Sequence, residues 1–236
     1  MVSNNLLFNM LKSLGQGSRA LARGKFVQQP TAGRFGLHDP EVPLREQCFV
    51  VVDCETTGLK PEHGDRVISL AAVRLIGGEV APDRFSTLID PQRPVPELAT
   101  SITGIDGQML AGQPRLEEIL PQFLDFARGG IITGYNVGFD LAFLNPALRS
   151  AGRDALCAAH SLDVFVLGRI LHPHWRHRSL EDMARAYGIP VEGRHTALGD
   201  SLMTARLLKA MFPQLEQRGI KNLRDLADFL CYCSLY

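Results

Sequence analysis

A short apolar run, Cys48-Phe49-Val50-Val51-Val52-Asp53, constrains this chain more than any other feature. Its β-branched residues crowd a helix and suit a pleated strand, so the run reads as a strand buried on both faces. A second carboxylate, Glu55, follows two positions after Asp53. If the strand continues through both, the two acids point to the same face. Such a strand needs cover on each side, and it brings two like charges together at its end.

The cover comes from the segments that follow. Arg66 to Leu75 and Arg84 to Ile89 read as two further strands, with Gly77-Gly78 turning the chain between them. The period then changes. Arg115 to Arg128 repeats apolar residues at Leu116, Ile119, Leu120, Phe123, Leu124 and Ala127, which predicts an amphipathic helix ended by Gly129-Gly130. Ile131-Ile132-Thr133 is a short strand. Helices are predicted at Asp140 to Ser150, Ser179 to Tyr187 and Ala197 to Met211, with a strand or helix start near Leu162 to Leu171. Three strands followed by alternating helices and short strands indicate an α/β fold, a mixed sheet flanked by helices.

Lys plus Arg and Asp plus Glu both total 25 among 236 residues, so no global field attracts or repels nucleic acid, and any electrostatic attraction is local. The five cysteines (Cys48, Cys54, Cys157, Cys231, Cys233) show no C-x-x-C spacing, which supports neither a disulfide framework nor a zinc knuckle and fits a reducing compartment. No apolar run approaches the ~20 residues of a membrane span. A cytoplasmic protein without membrane contact is expected. Residues 1–45 form a basic extension carrying Lys12, Arg19, Arg23, Lys25 and Arg34, and Leu6, Leu7, Met10, Leu11 and Leu14 recur there at helical spacing. A short helix and basic linker, a targeting peptide, a nucleic-acid-binding arm and a docking helix all fit this segment. Residues 46–212 are read as the main domain and 213–236 as a helical tail, striped by Leu223, Leu226, Ala227 and Leu230.

Three motifs carry chemistry. Asp53-Cys54-Glu55 is followed by Thr56-Thr57-Gly58-Leu59, small residues that let backbone N–H groups approach a ligand. Gly134-Tyr135-Asn136-Val137-Gly138-Phe139-Asp140 opens a helix after a short strand, where Asp140 could equally serve as a capping residue. His195-Thr196-Ala197-Leu198-Gly199-Asp200 enters the last long helix. Five residues of continuous helix turn about 500°, so His195 must lie on the preceding loop if it shares a site with Asp200. A run of His172, His174, Arg176, His177 and Arg178, with Arg194, offers either a path for a phosphate backbone or a solvated loop.

In this order, D-x-E-T-T-G-L, N-x-x-F-D and H-x-A-x-x-D resemble the DEDD, or DnaQ-like, 3′-to-5′ exonucleases, the family of polymerase III proofreading subunits and ribonuclease T. The resemblance covers about Cys48 to Met211, and His195, five positions before Asp200, places it with the histidine-containing subclass. It implies a ribonuclease H-like fold: a mixed five-stranded sheet whose first three strands are antiparallel. It also implies a metal site of Asp53, Glu55, Asp140 and Asp200 holding two Mg²⁺ or Mn²⁺ ions, with Asp53 bridging them and Asp140 supporting the leaving-group side. His195 would be the general base. Thr56, Thr57, Gly58, Leu59, Asn136 and Phe139 would meet the terminal nucleotide, Leu59 as a wedge. Tyr135 stands where many relatives carry His. The implied partners are single-stranded DNA or RNA 3′ ends, DNA being favoured, and a protein partner through either extension. The alternatives are a proofreading-type subunit docked on a polymerase and a non-catalytic nucleic-acid-binding module.

Overall fold

A computed structural model describes residues 38–157, 160–175 and 179–233, with side chains to residue 230. The basic segment up to residue 37 and the basic residues 176–178 lie outside these, as do the sequence expectations attached to them.

The apolar run forms the middle of a five-stranded sheet. Strand β1 (Cys48–Thr56) pairs antiparallel with β2 (Val67–Ile76) and parallel with β4 (Ile131–Gly134). Beyond them lie antiparallel β3 (Glu79–Leu88) and the short parallel β5 (Leu162–Asp163), giving the order β3-β2-β1-β4-β5. The mixed sheet with three antiparallel leading strands is thus as expected. Strand β3 starts earlier than its sequence pattern indicates, directly after Gly77 and Gly78, both left-handed at φ 59° and 74°. Pro82 hides this start, because proline breaks a ladder; β3 tolerates it as an edge strand.

Eight α-helices are described: α1 (Glu97–Thr103), α2 (Gly107–Leu110), α3 (Leu116–Ala127), α4 (Val137–Ser150), α5 (Val164–Leu171), α6 (Leu180–Ala186), α7 (Ala197–Gln217) and α8 (Leu223–Cys233). They cover the two faces of β1 separately. Val50, Val52 and Cys54 pack with Phe123 of α3 and Leu141 and Leu144 of α4. On the opposite face Phe49 packs with Met211 and Phe212 of α7, and Val51 with Ala205. Full burial of such side chains contributes about 1.5–3 kcal/mol each, so α7 is clamped to the face that carries Asp53 and Glu55.

Both ends of the described chain join this core. Leu44, Ile220 and Leu226 are buried in the cluster of Phe49 and Phe212, and the Leu44 N–H donates to the Lys221 carbonyl at 2.8 Å. The apolar stripe of α8 therefore packs on its own chain. No described helix is long and apolar enough to cross a membrane.

Candidate active site

Asp53 and Glu55 lie opposite Ala71 and Ser69 of β2, on the face that α7 crosses. A register shift between Glu55 and Thr56 ends regular pairing beside them. Bulges of this kind commonly re-aim side chains next to active sites. Asp200, in the first turn of α7, completes a cluster: one carboxylate oxygen each from Asp53, Glu55 and Asp200 lies within 4.8 Å of the others. Asp140 approaches from α4. It is no cap, because Asn136 holds that position; its Oδ1 accepts the backbone N–H of Cys54 at 2.8 Å. This bond ties the second motif to the strand of the first.

Burial drives the electrostatics. The Asp53 carboxyl is raised well above the usual range by burial and by Asp140, Asp200 and Glu55 around it. Burial and Asp200 push Glu55 up to about 7. Burial raises Asp140 against the opposing hydrogen bonds from Cys54, and raises Asp200 against Arg194. Burial and mutual repulsion outweigh the one neighbouring guanidinium, Arg194, so acids packed this closely favour protonation. The Oδ1 of Asp200 is moreover buried without a hydrogen-bond partner among the described residues. An all-oxygen set with an orphaned carboxylate oxygen fits a hard divalent cation.

His195 lies two residues ahead of α7, on the preceding loop, at φ 62°, a left-handed conformation rare for a non-glycine residue. Thr196 caps the helix: its hydroxyl accepts the Gly199 N–H at 3.1 Å and donates to the Gly193 carbonyl at 2.6 Å. Burial, then the neighbouring Arg194, lowers the His195 pKa, which favours the neutral imidazole. Arg194 is turned inward onto Asp200 and Glu181 and not along a phosphate path.

The loop after β1 is braced from below. Thr57 Oγ1 donates to Asp65 at 3.2 Å and accepts the Arg66 N–H at 3.0 Å, while the Thr57 N–H donates to the Arg66 carbonyl at 2.8 Å. Thr56 directs its hydroxyl to the Gly58 carbonyl. A Cβ on Gly58 would sit 2.3 Å from Asp65 Oδ2, so a side chain there would displace the carboxylate that braces Thr57. Leu59 is half-buried, and so is Phe139, whose ring lies 5.0 Å from that of Phe143. Asn136, exposed and left-handed at φ 63°, donates its N–H to Asp163 Oδ1 at 3.0 Å. The Tyr135 ring packs edge-on against Phe165. His172 stacks on Trp175 at 3.8 Å and bonds the Tyr187 hydroxyl at 2.7 Å, so this part of the basic run is structural.

Sequence reasoning missed Asp65 and Asp163, which brace the loop after β1 and the turn before α4. For Asp163 a signal existed: an acid directly before the apolar run Val164 to Leu171, whose helix it caps through Phe165 N–H at 2.9 Å.

The RNase_T family model, described as an exonuclease, matches residues 50–208. The chain is 38% identical over 183 residues to a DNA polymerase III subunit epsilon-like protein of Rhodobacter capsulatus, covering 76% of this chain but only 26% of that protein. It is 37% identical over 172 residues to the DNA polymerase III subunit epsilon of Aquifex aeolicus, covering 73% of this chain and 84% of that one. Among solved structures, exonuclease X in complex with 5′-overhanging duplex DNA superimposes with a TM-score of 0.60 at 22% identity, over 77% of this chain and 99% of that chain. That likeness establishes the shared fold.

Proposed function

This chain belongs to the RNase T-type exonuclease family, and we propose that it is a metal-dependent 3′-to-5′ exonuclease that removes nucleoside 5′-monophosphates from single-stranded or frayed 3′ ends, DNA in preference to RNA, in the cytoplasm. The observation that carries the proposal is the convergence of Asp53, Glu55 and Asp200 within 4.8 Å, with Asp200 Oδ1 buried and unpartnered. These acids, with Asp140, would hold two divalent ions, Mg²⁺ or Mn²⁺. Such ions, when bound, polarise phosphoryl oxygens and acidify water.

The chain's own groups account for the rest. His195, neutral because burial and Arg194 depress its pKa, takes the proton of the attacking water. The water oxygen bonds to phosphorus, the bond to the upstream O3′ breaks, and that oxygen leaves with a proton from solvent. The loop Thr56 to Leu59 receives the terminal nucleotide. Because the N–H and hydroxyl of Thr57 are already bonded within the chain, the donors offered there are the N–H groups of Gly58 and Leu59. Leu59 wedges behind the terminal base, and Asn136 and Phe139 line the opposite wall. A paired terminus must first unstack, at about 1–2 kcal/mol per step, so unpaired ends are preferred.

The test is a time course with 5′-labelled DNA and RNA oligonucleotides in Mg²⁺, Mn²⁺ and EDTA. Single strands should shorten stepwise from the 3′ end faster than blunt duplexes, a 3′-phosphate should slow the reaction, and EDTA should stop it. Cutting inside a circular single strand, or equal shortening from a blocked 3′ end, would reject the proposal.

A further inference from the structure

Among the described residues, Arg194 is the cation placed beside the acid cluster. Its side chain is only 24% exposed and forms an ion pair with Asp200 Oδ2, while its Nε lies 3.1 Å from Glu181 Oε1 on α6. The backbone around it is fixed from both sides. Gly193 and His195 are both left-handed, at φ 62° each, and the Thr196 hydroxyl fastens Gly193 to the first turn of α7. Arg194 is thus held at its root by this buckle, while Glu181 sets a compensating charge beside its Nε without a hydrogen bond.

The two oxygens of Asp200 differ as a result. Oδ2 is clamped by the guanidinium, and Oδ1 is buried with no hydrogen-bond partner among the described residues. The terminal torsion of an aspartate is soft and roughly two-fold, so an unclamped carboxylate would rotate, offering either oxygen or both. Taking Asp53, Glu55 and Asp200 as the cation ligands of the function proposed above, we infer that Arg194 is a positioning residue which, its charge compensated by Glu181, holds Asp200 so that Oδ1 alone faces the cation.

A guanidinium close to a divalent ion repels it, so deleting Arg194 could tighten metal binding. Glu181 decides the balance: the Arg194–Glu181 pair is net neutral, which cancels most of that repulsion and leaves the orienting effect. Loss of a partner that orients a metal ligand typically weakens metal affinity by about 10–100-fold.

The experiment measures Mn²⁺ affinity of the full chain, without nucleic acid, by isothermal titration and Mn²⁺ EPR. Arg194→Gln should bind Mn²⁺ about 10–100-fold more weakly than the wild type. Arg194→Lys, which keeps the charge but cannot reach both carboxylates, should fall between them. Glu181→Gln, which leaves the guanidinium charge uncompensated, should also weaken binding, and it provides the test if the Arg194 variants fail to fold. Unchanged or tighter binding in folded Arg194→Gln, or in Glu181→Gln, overturns the inference while leaving the exonuclease proposal standing. A wild-type chain that binds no Mn²⁺ overturns both.

Discussion

Gly199 packs so closely on Gly193 that a Cβ on Gly199 would lie 2.0 Å from the Gly193 carbonyl oxygen. Backbone stands in the way, so no rotamer change relieves the clash. Gly199→Ala should push the loop bearing Arg194 and His195 off α7. The expected result is a loss of about 1–3 kcal/mol in urea unfolding and at least a tenfold fall in exonuclease rate. Wild-type stability and rate in this variant would show that the loop sits elsewhere.

Asp53→Ala and Asp200→Ala should each abolish turnover while the protein stays folded, because neither carboxylate packs the core. Far-UV circular dichroism and thermal unfolding report the fold, and the labelled-oligonucleotide assay reports turnover. Near-normal cleavage by either folded variant would remove it from the metal site.

His195→Ala should lose a factor of about 10²–10⁴ in rate at saturating Mn²⁺, the usual range for general acid–base help. Since burial and Arg194 depress its pKa, the neutral base persists below the ordinary histidine value of about 6.5. At saturating metal the wild-type rate should therefore still exceed half of its plateau when pH has fallen to that value. A rate already halved there contradicts the assigned role.

The acid cluster makes the metal-free fold sensitive to pH in an unusual direction. Glu55 is raised from 4.5 to about 7 on folding, chiefly by burial, so the folded state binds the extra proton between those values. That contribution is fully present below pH 4.5 and is lost as pH rises through about 7. In EDTA, urea unfolding should show a decline between pH 5.5 and 8 to which Glu55 contributes on the order of 2 kcal/mol and the raised Asp140 adds, and Glu55→Gln should make it shallower. Mn²⁺ should restore stability at pH 8. A metal-free stability that climbs over this interval would contradict the buried, crowded state of the cluster.

The parts of the molecule legible in the sequence are those with a period or a motif. Cys48 to Asp53 declares a buried strand by its unbroken β-branched run, and α3 and α7 declare their faces by helical spacing. Helices α1 and α2 escaped notice because seven and four residues give too few turns for a period to emerge. For the site, spacing indicated that His195 precedes its helix, yet it could not show that Asp140 reaches across to the Cys54 N–H. Nor could it show that Arg194 faces inward: an arginine beside a histidine on a polar loop looks like any surface cation. Its role depends on Glu181, which only the tertiary fold brings near.

Helix α7 spans the sheet and is the last element to reach the acid cluster, so the order of synthesis matters. Asp53 and Glu55 leave the ribosome early, on a strand whose outer face is still bare. The third carboxylate and the histidine arrive only when residues 195–217 have emerged and seated themselves across β1 and β2. Until that moment the acid cluster of Asp53, Glu55 and Asp200 is incomplete. The cluster is therefore completed late, when α7 is laid across the sheet, and only Ile220 and the stripe of α8 remain to be added to the core.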